Sequence, residues 1–211
     1  MRMKVTAIII SLFIAFGALA QADSVAFTID SKMPDGVYLQ YGNFRRNDPV
    51  TKAQMESKLD KEQLNFIEKT MQQETFLFYR EGQPVTYNSK AVWGFFQNNT
   101  LYVNYKGDFY RVPVFGAVSY MVATVLVSNI GFYDPMYGGM GSGYTRETRE
   151  FLIDFYDGVV TELSLDKAGN LLGRDKTLYD EFKKLSRKRQ KEQLYRFIRR
   201  YNELHPVYFL K

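Results

Sequence analysis

Cysteine is absent from this sequence, and histidine and tryptophan occur once each. Without cysteine there is no disulfide framework, no thiolate nucleophile, no thiolate-bound metal and no lipid-modified cysteine behind a leader. The single histidine, His205, excludes an HExxH metal motif, and any Ser and His pair would have to use it. It stands directly before Pro206, where a helix-ending histidine bonded to a neighbouring group is the simpler expectation. No calcium-loop spacing of carboxylates occurs either.

What is present begins with a leader. Residues 1–20 place Arg2 and Lys4 ahead of an apolar run from Val5 to Leu19, with small residues at Ala18 and Ala20. That is the pattern of a secretory signal peptide, with cleavage expected before Gln21. The run is shorter than the roughly 20 residues a spanning helix needs, so a retained anchor is the weaker alternative. Residues 21–211 are then expected to form a single domain, long enough to bury a core without covalent staples. Export to the periplasm, the outer surface or the medium makes nucleic acid an unsuited partner.

Charge is uneven. The chain carries a formal net charge of +5, while the segment from Arg174 onward holds twelve basic and five acidic residues. The rest is a mildly acidic body, and the basic end supplies Lys183, Lys184, Arg187, Lys188, Arg189, Lys191, Arg196, Arg199 and Arg200. Such a face attracts anionic lipid headgroups, acidic polysaccharide or an acidic protein patch, although many helices simply solvate their charged side.

Apolar alternation predicts strands at "SVAFTID" and "GVYLQY". The Pro- and Gly-free stretch Thr51 to Glu74 predicts one inserted helix, with Asp60 and Gln63 as a capping box and Leu64, Ile67 and Met71 on one face. Five β-rich runs follow as an antiparallel meander, turning at Glu81-Gly82-Gln83-Pro84, Asn98-Asn99 and Lys106-Gly107-Asp108. "EFLIDFY" and "VVTELSLD" resume the strand pattern around Asp157-Gly158, and Gly169-Asn170 is expected to turn. Two amphipathic C-terminal helices close the chain, one capped by Asp175 with Leu178, Phe182 and Leu185, the next carrying Leu194, Phe197, Ile198, Tyr201 and Leu204. The fold class expected is α+β, a mainly antiparallel meander with one inserted and two C-terminal helices.

Residues 91–116 hold eight aromatic side chains. Strand alternation gives Leu101, Val103 and Tyr105 one face and Tyr102, Asn104 and Lys106 the other, so one packed and one wet face are expected. Most rings then belong to a core, with Trp93 or Tyr102 as the candidates for a surface platform that stacks on a glycan ring or peptide. The twenty-two uncharged residues 112–133 permit a spanning helix by hydropathy, but breakers and β-branched residues favour buried strands. The glycine-rich segment near 134–147 is expected as a flexible loop. Its Gly138 and Gly143 approximate a phosphate-binding loop, yet Tyr144 stands where the lysine must be.

Asp154 with Asp157, or Asp134 with Glu150, are the carboxylate pairs placed for general acid and base work on a glycan. No catalytic, cofactor or metal residue is assigned. The candidate partner-binding residues are Lys184, Arg187, Lys188, Lys191, Trp93 and Tyr102. The leading expectation is a non-enzymatic envelope or secreted protein that binds a macromolecular or surface partner, with a carboxylate-dependent glycan hydrolase as the alternative.

"MPDGVYLQYGNFRRNDP", "AVWGFFQNNTLYVNYKGDFYRVPVFG" and "RRYNELHPVYF" resemble a family of exported proteins from Bacteroidetes bacteria that carries no established activity. The resemblance implies lineage, export and an envelope role, and no functional position. Asp23-Ser24-Val25 also resembles the short O-glycosylation signal of such proteins, and Asn98-Asn99-Thr100 matches an N-glycosylation triplet; both are short enough to arise by chance.

Overall fold

The computed structural model describes residues 24–26, 33–134 and 139–210. The fold is α+β with antiparallel sheets, as the sequence predicts. Strands β1 (Ser24–Ala26), β2 (Gly36–Tyr38), β3 (Val50–Thr51), β4 (Met55–Glu56), β5 (Thr75–Arg80) and β6 (Gln83–Asn88) are joined by helices α1 (Tyr41–Arg45) and α2 (Phe66–Met71). Then come β7 (Gly94–Gln97), β8 (Thr100–Tyr105), β9 (Asp108–Arg111), β10 (Val118–Asp134), β11 (Gly139–Asp154) and β12 (Val160–Glu162). Helices α3 (Leu165–Leu172), α4 (Lys176–Lys183) and α5 (Arg187–Leu204) precede β13 (Tyr208–Leu210).

A five-stranded sheet in the order β3-β2-β7-β8-β9 lies at the centre. Its pleat sends side chains alternately to two hydrophobic clusters. Tyr38, Phe96, Leu101 and Val103 enter one, together with β10, β11 and the apolar faces of α3, α4 and α5. Val37 and Phe95 enter the other, with Tyr102 and Phe109 packed against it and covered by α2 and the small sheet β4-β5-β6. Both faces are therefore packed, and all four residues of β7 are buried. The face expected to be wet is covered at β7, where α2 and the β5–β6 hairpin fold over it, and stays partly open at Tyr102 and Phe109.

Three hairpin turns follow the sequence closely. Glu81-Gly82, Asn98-Asn99 and Lys106-Gly107 each hold positive φ at both central residues, between 51 and 93° for all of them. That is the requirement of a two-residue turn matched to strand twist. Asn104 locks the third turn, accepting from the Gly107 N–H at 2.9 Å and donating to the Lys90 and Val92 carbonyls at 2.8 Å.

Elsewhere local signals gave way to distant partners. Within the stretch Thr51 to Glu74 the expected helix is confined to Phe66–Met71 and does not start at the Asp60 and Gln63 capping box. Its N-cap residue Asn65 makes no capping bond; instead the buried Gln97 side chain accepts from the Ile67 and Glu68 N–H groups at 2.9 and 3.1 Å. A strand thirty residues away caps this helix, so no nearby motif could mark its start. Ser164 caps α3 through the Lys167 N–H, and Gly169-Asn170 lies inside that helix rather than in a turn. Three C-terminal helices thus pack where two were expected.

The uncharged run mostly forms β10, whose Met121, Ala123 and Val125 are buried while Val122 and Leu126 are exposed. Among the described residues no helix is long and apolar enough to cross a membrane. The glycine-rich segment expected as a loop is, from Gly139 onward, strand β11 paired with β10. Backbone pairing needs no side chain, and the partner strand supplies the ladder that glycine composition argues against. Residues 135–138 lie outside the described ones.

Gly94 shows how closely the central strands approach, because a Cβ there would sit 2.5 Å from the Tyr102 carbonyl oxygen. Gly94→Ala is expected to lower stability by about 1–3 kcal/mol through overpacking, read as an earlier urea midpoint. An unchanged midpoint would remove the close approach from the account.

Candidate functional site

The basic residues meet where α4 ends and α5 begins. Ser186 caps α5 by accepting from the Arg189 N–H. Four of the first five residues of α5 are Arg187, Lys188, Arg189 and Lys191, with no acid in the first turn. Cations at a helix N-terminus oppose the macrodipole, at about 0.3–1 kcal/mol each when exposed. Lys183 and Lys184, at the end of α4, are placed favourably by the same rule. Arg187 meets Asp166 at 3.6 Å, with both side chains more than 70% exposed. Among the described residues Lys184, Lys188 and Lys191 form no ion pair, and all three are exposed. Further along α5, Arg200 forms a two-pronged pair with Glu181 and holds that carboxyl below its ordinary value.

The two aromatic candidates part company. Trp93 packs against the first core, its ring stacked on Phe44 at 4.5 Å and beside Tyr41 at 5.3 Å. It is a core ring. Tyr102 lies on the other side of the central sheet, stacked on Phe95 at 4.7 Å with ring planes 13° apart. It is half-buried and lines an open cleft of about 630 Å³ with Phe109, Phe95, Glu68, Gln72 and Asn88. The structure does not bring Trp93, Tyr102 and the basic corner together. The register of β7, β8 and β9 puts Phe95, Tyr102 and Phe109 on one face, so the aromatic floor was within reach of sequence reasoning. The rim residues Glu68 and Gln72 were not, because the sequence places a helix there without showing that it packs over this face.

The two carboxylate pairs are held differently. Asp154 is 6% exposed and grips the Arg174 guanidinium with both oxygens, one contact at 2.9 Å. It also accepts from the Tyr156 N–H, while Arg174 lies over the Tyr156 ring at 4.8 Å. That carboxylate raises the guanidinium above its ordinary value. Asp157 accepts from the Val159 N–H at 2.9 Å, inside the turn completed by Gly158 at φ 73°. Asp134 and Glu150 stand far apart. Glu150 is opposite Val122, and Asp134 lies twelve residues further along β10, about 40 Å at the rise of a strand.

Glu150 serves as an anchor. Its Oε1 accepts from the hydroxyls of Tyr120 at 2.8 Å and Tyr195 at 2.5 Å, tying α5 to the long hairpin. Burial, then the neighbouring carboxylate, raises the Tyr195 hydroxyl, and burial raises Tyr120, so both stay protonated and donate. His205 follows α5 as its C-cap and sits with Nε2 3.0 Å from Asp175. Asp175 caps α4, and the Leu178 N–H, followed by His205, holds its carboxyl below the usual 3.8. Among the described residues no group of three His, Cys, Asp or Glu is placed to hold a metal ion. Comparison with protein-family models, curated proteins and solved structures finds no match.

Two outcomes follow for stability. Arg174→Met strands Asp154 without its cation and is expected to cost about 1–3 kcal/mol, whereas Arg187→Met, at an exposed pair, should stay within about 0.5 kcal/mol; urea titrations separate them. Asp175 is lowered in the folded state, so its contribution is present above its unfolded value near 3.8 and is lost as pH falls through the folded one. Asp175→Asn should therefore lower stability at neutral pH and flatten the stability profile below about pH 4.

Proposed function

We propose that this chain is an exported, non-enzymatic protein that docks on an anionic lipid surface of the bacterial envelope through the corner between α4 and α5. One observation carries the reading. Cations crowd the first turn of an eighteen-residue helix, the end where they oppose the macrodipole. A sequence selected only for a stable solvated helix places acids there instead. The cations are exposed and mostly unpaired, and so remain available to headgroups. The engagement of Asp154 and the separation of Asp134 from Glu150 favour binding over glycan hydrolysis.

The test is co-sedimentation of the purified protein with vesicles. Binding to phosphatidylglycerol-rich vesicles is expected, with little on phosphatidylcholine and loss at high salt. Each Lys or Arg near such a surface contributes about 1 kcal/mol. Reversing Lys184, Arg187, Lys188 and Lys191 to Glu should weaken binding by more than tenfold, with the far-UV spectrum unchanged. Equal binding to both vesicle types, or indifference to the four reversals, overturns the proposal.

A further inference from the structure

We infer that the cleft around Tyr102 is a binding site for a neutral, hydroxyl-rich carbohydrate, separate from the basic corner. Its floor is aromatic. Phe95 is buried and covers one face of Tyr102, while Phe109 meets Phe95 edge-on at 5.1 Å. Tyr102 and Phe109 are each only partly buried, and no other ring among the described residues covers the second face of Tyr102. A half-open aromatic face is the partner for the apolar C–H side of a sugar ring, whose one side is greasy and whose rim is polar.

The walls match that rim. Gln72 and Gln73 supply amides, Asn88 offers its amide N–H groups while its Oδ1 accepts from the Lys90 N–H at 2.8 Å, and Glu68, Glu74 and Asp108 supply carboxylates, around the same floor. An amide both donates and accepts, and a carboxylate accepts twice, which is the inventory that vicinal hydroxyls require. Among the described residues these three carboxylates form no ion pair, and the side chains of Gln72 and Gln73 have no hydrogen-bond partner. Their capacity is unspent.

Charge selects the class. Three carboxylates against Lys90 leave the cleft net negative, which repels phosphates, uronates and sulfated glycans. A cationic ligand over the rings is the rival. Lys90 and the three amides on the wall fit it less well than they fit a neutral sugar. The volume, about 630 Å³, falls within the about 300–1,000 Å³ of small-ligand sites.

Calorimetry on the purified protein tests this with neutral trisaccharides of glucose, mannose and N-acetylglucosamine, and with trilysine as the rival probe. At least one trisaccharide is expected to bind at about 5 mM, where a Kd of order 1 mM is readily seen. Tyr102→Ala should weaken it tenfold or more. Because Tyr102 also packs on Phe95, the exposed pair Gln72→Ala with Asp108→Asn provides a second variant, expected to weaken binding at least fivefold without moving the unfolding midpoint. Vesicle binding should be unchanged in both, so the two sites fail or stand independently. No heat from any trisaccharide, binding of trilysine instead, or sugar binding indifferent to both variants overturns the inference.

Discussion

Everything else is arranged around one strand that has no solvent face. β7 pairs with β2 on one edge and β8 on the other, and its four residues are all buried. Phe96 and Phe95, adjacent in sequence, therefore anchor two different cores. Gly94 permits the tight approach to β8, and Gln97 reaches out to cap α2. A strand in that position couples the layers. Loosening it exposes apolar surface on both sides at once, and nothing covalent compensates in a chain without cysteine.

Elements whose cause lies within a few residues were readable before any coordinates. The Asn98-Asn99 and Lys106-Gly107 turns declare positive φ by residue type, Asp175 announces α4, and the spacing of Leu194, Phe197, Ile198 and Tyr201 announces α5. Elements whose cause is remote were not. Helix α2 begins where Gln97 accepts its N–H groups, not at Asp60, and β11 exists because β10 lies beside it, whatever its glycines prefer alone. The second packed face of the central sheet was missed for the same reason. Alternation shows which side chains share a face, but not whether another layer lands on it.

The candidate residues sort by the same logic. Exposure of the basic corner was legible because a helical repeat fixes which positions turn outward. Its electrostatic placement followed once Ser186 was seen to cap α5. Trp93 and Tyr102 look equivalent in the sequence and are both half-buried, yet one stacks on Phe44 against the first core and the other stacks on Phe95 across the sheet, where it borders an open cleft. Asp154 read as a free acid only because its partner, Arg174, is twenty residues away. The two proposed sites ask for opposite chemistries, one gathering negative charge over a broad face and the other refusing it in a hollow. A molecule so divided suits a bridge between an anionic layer and an uncharged polymer.

The pairing of β1 with β13 sets a schedule. Ser24 faces Leu210 and Ala26 faces Tyr208, so the first described strand finds its mate only in the last described one. The loop it seals contains every other described element, so its closure carries a larger entropic cost than any other strand pairing described. Pairings of such separation form late, so this clasp shuts over layers that are already packed.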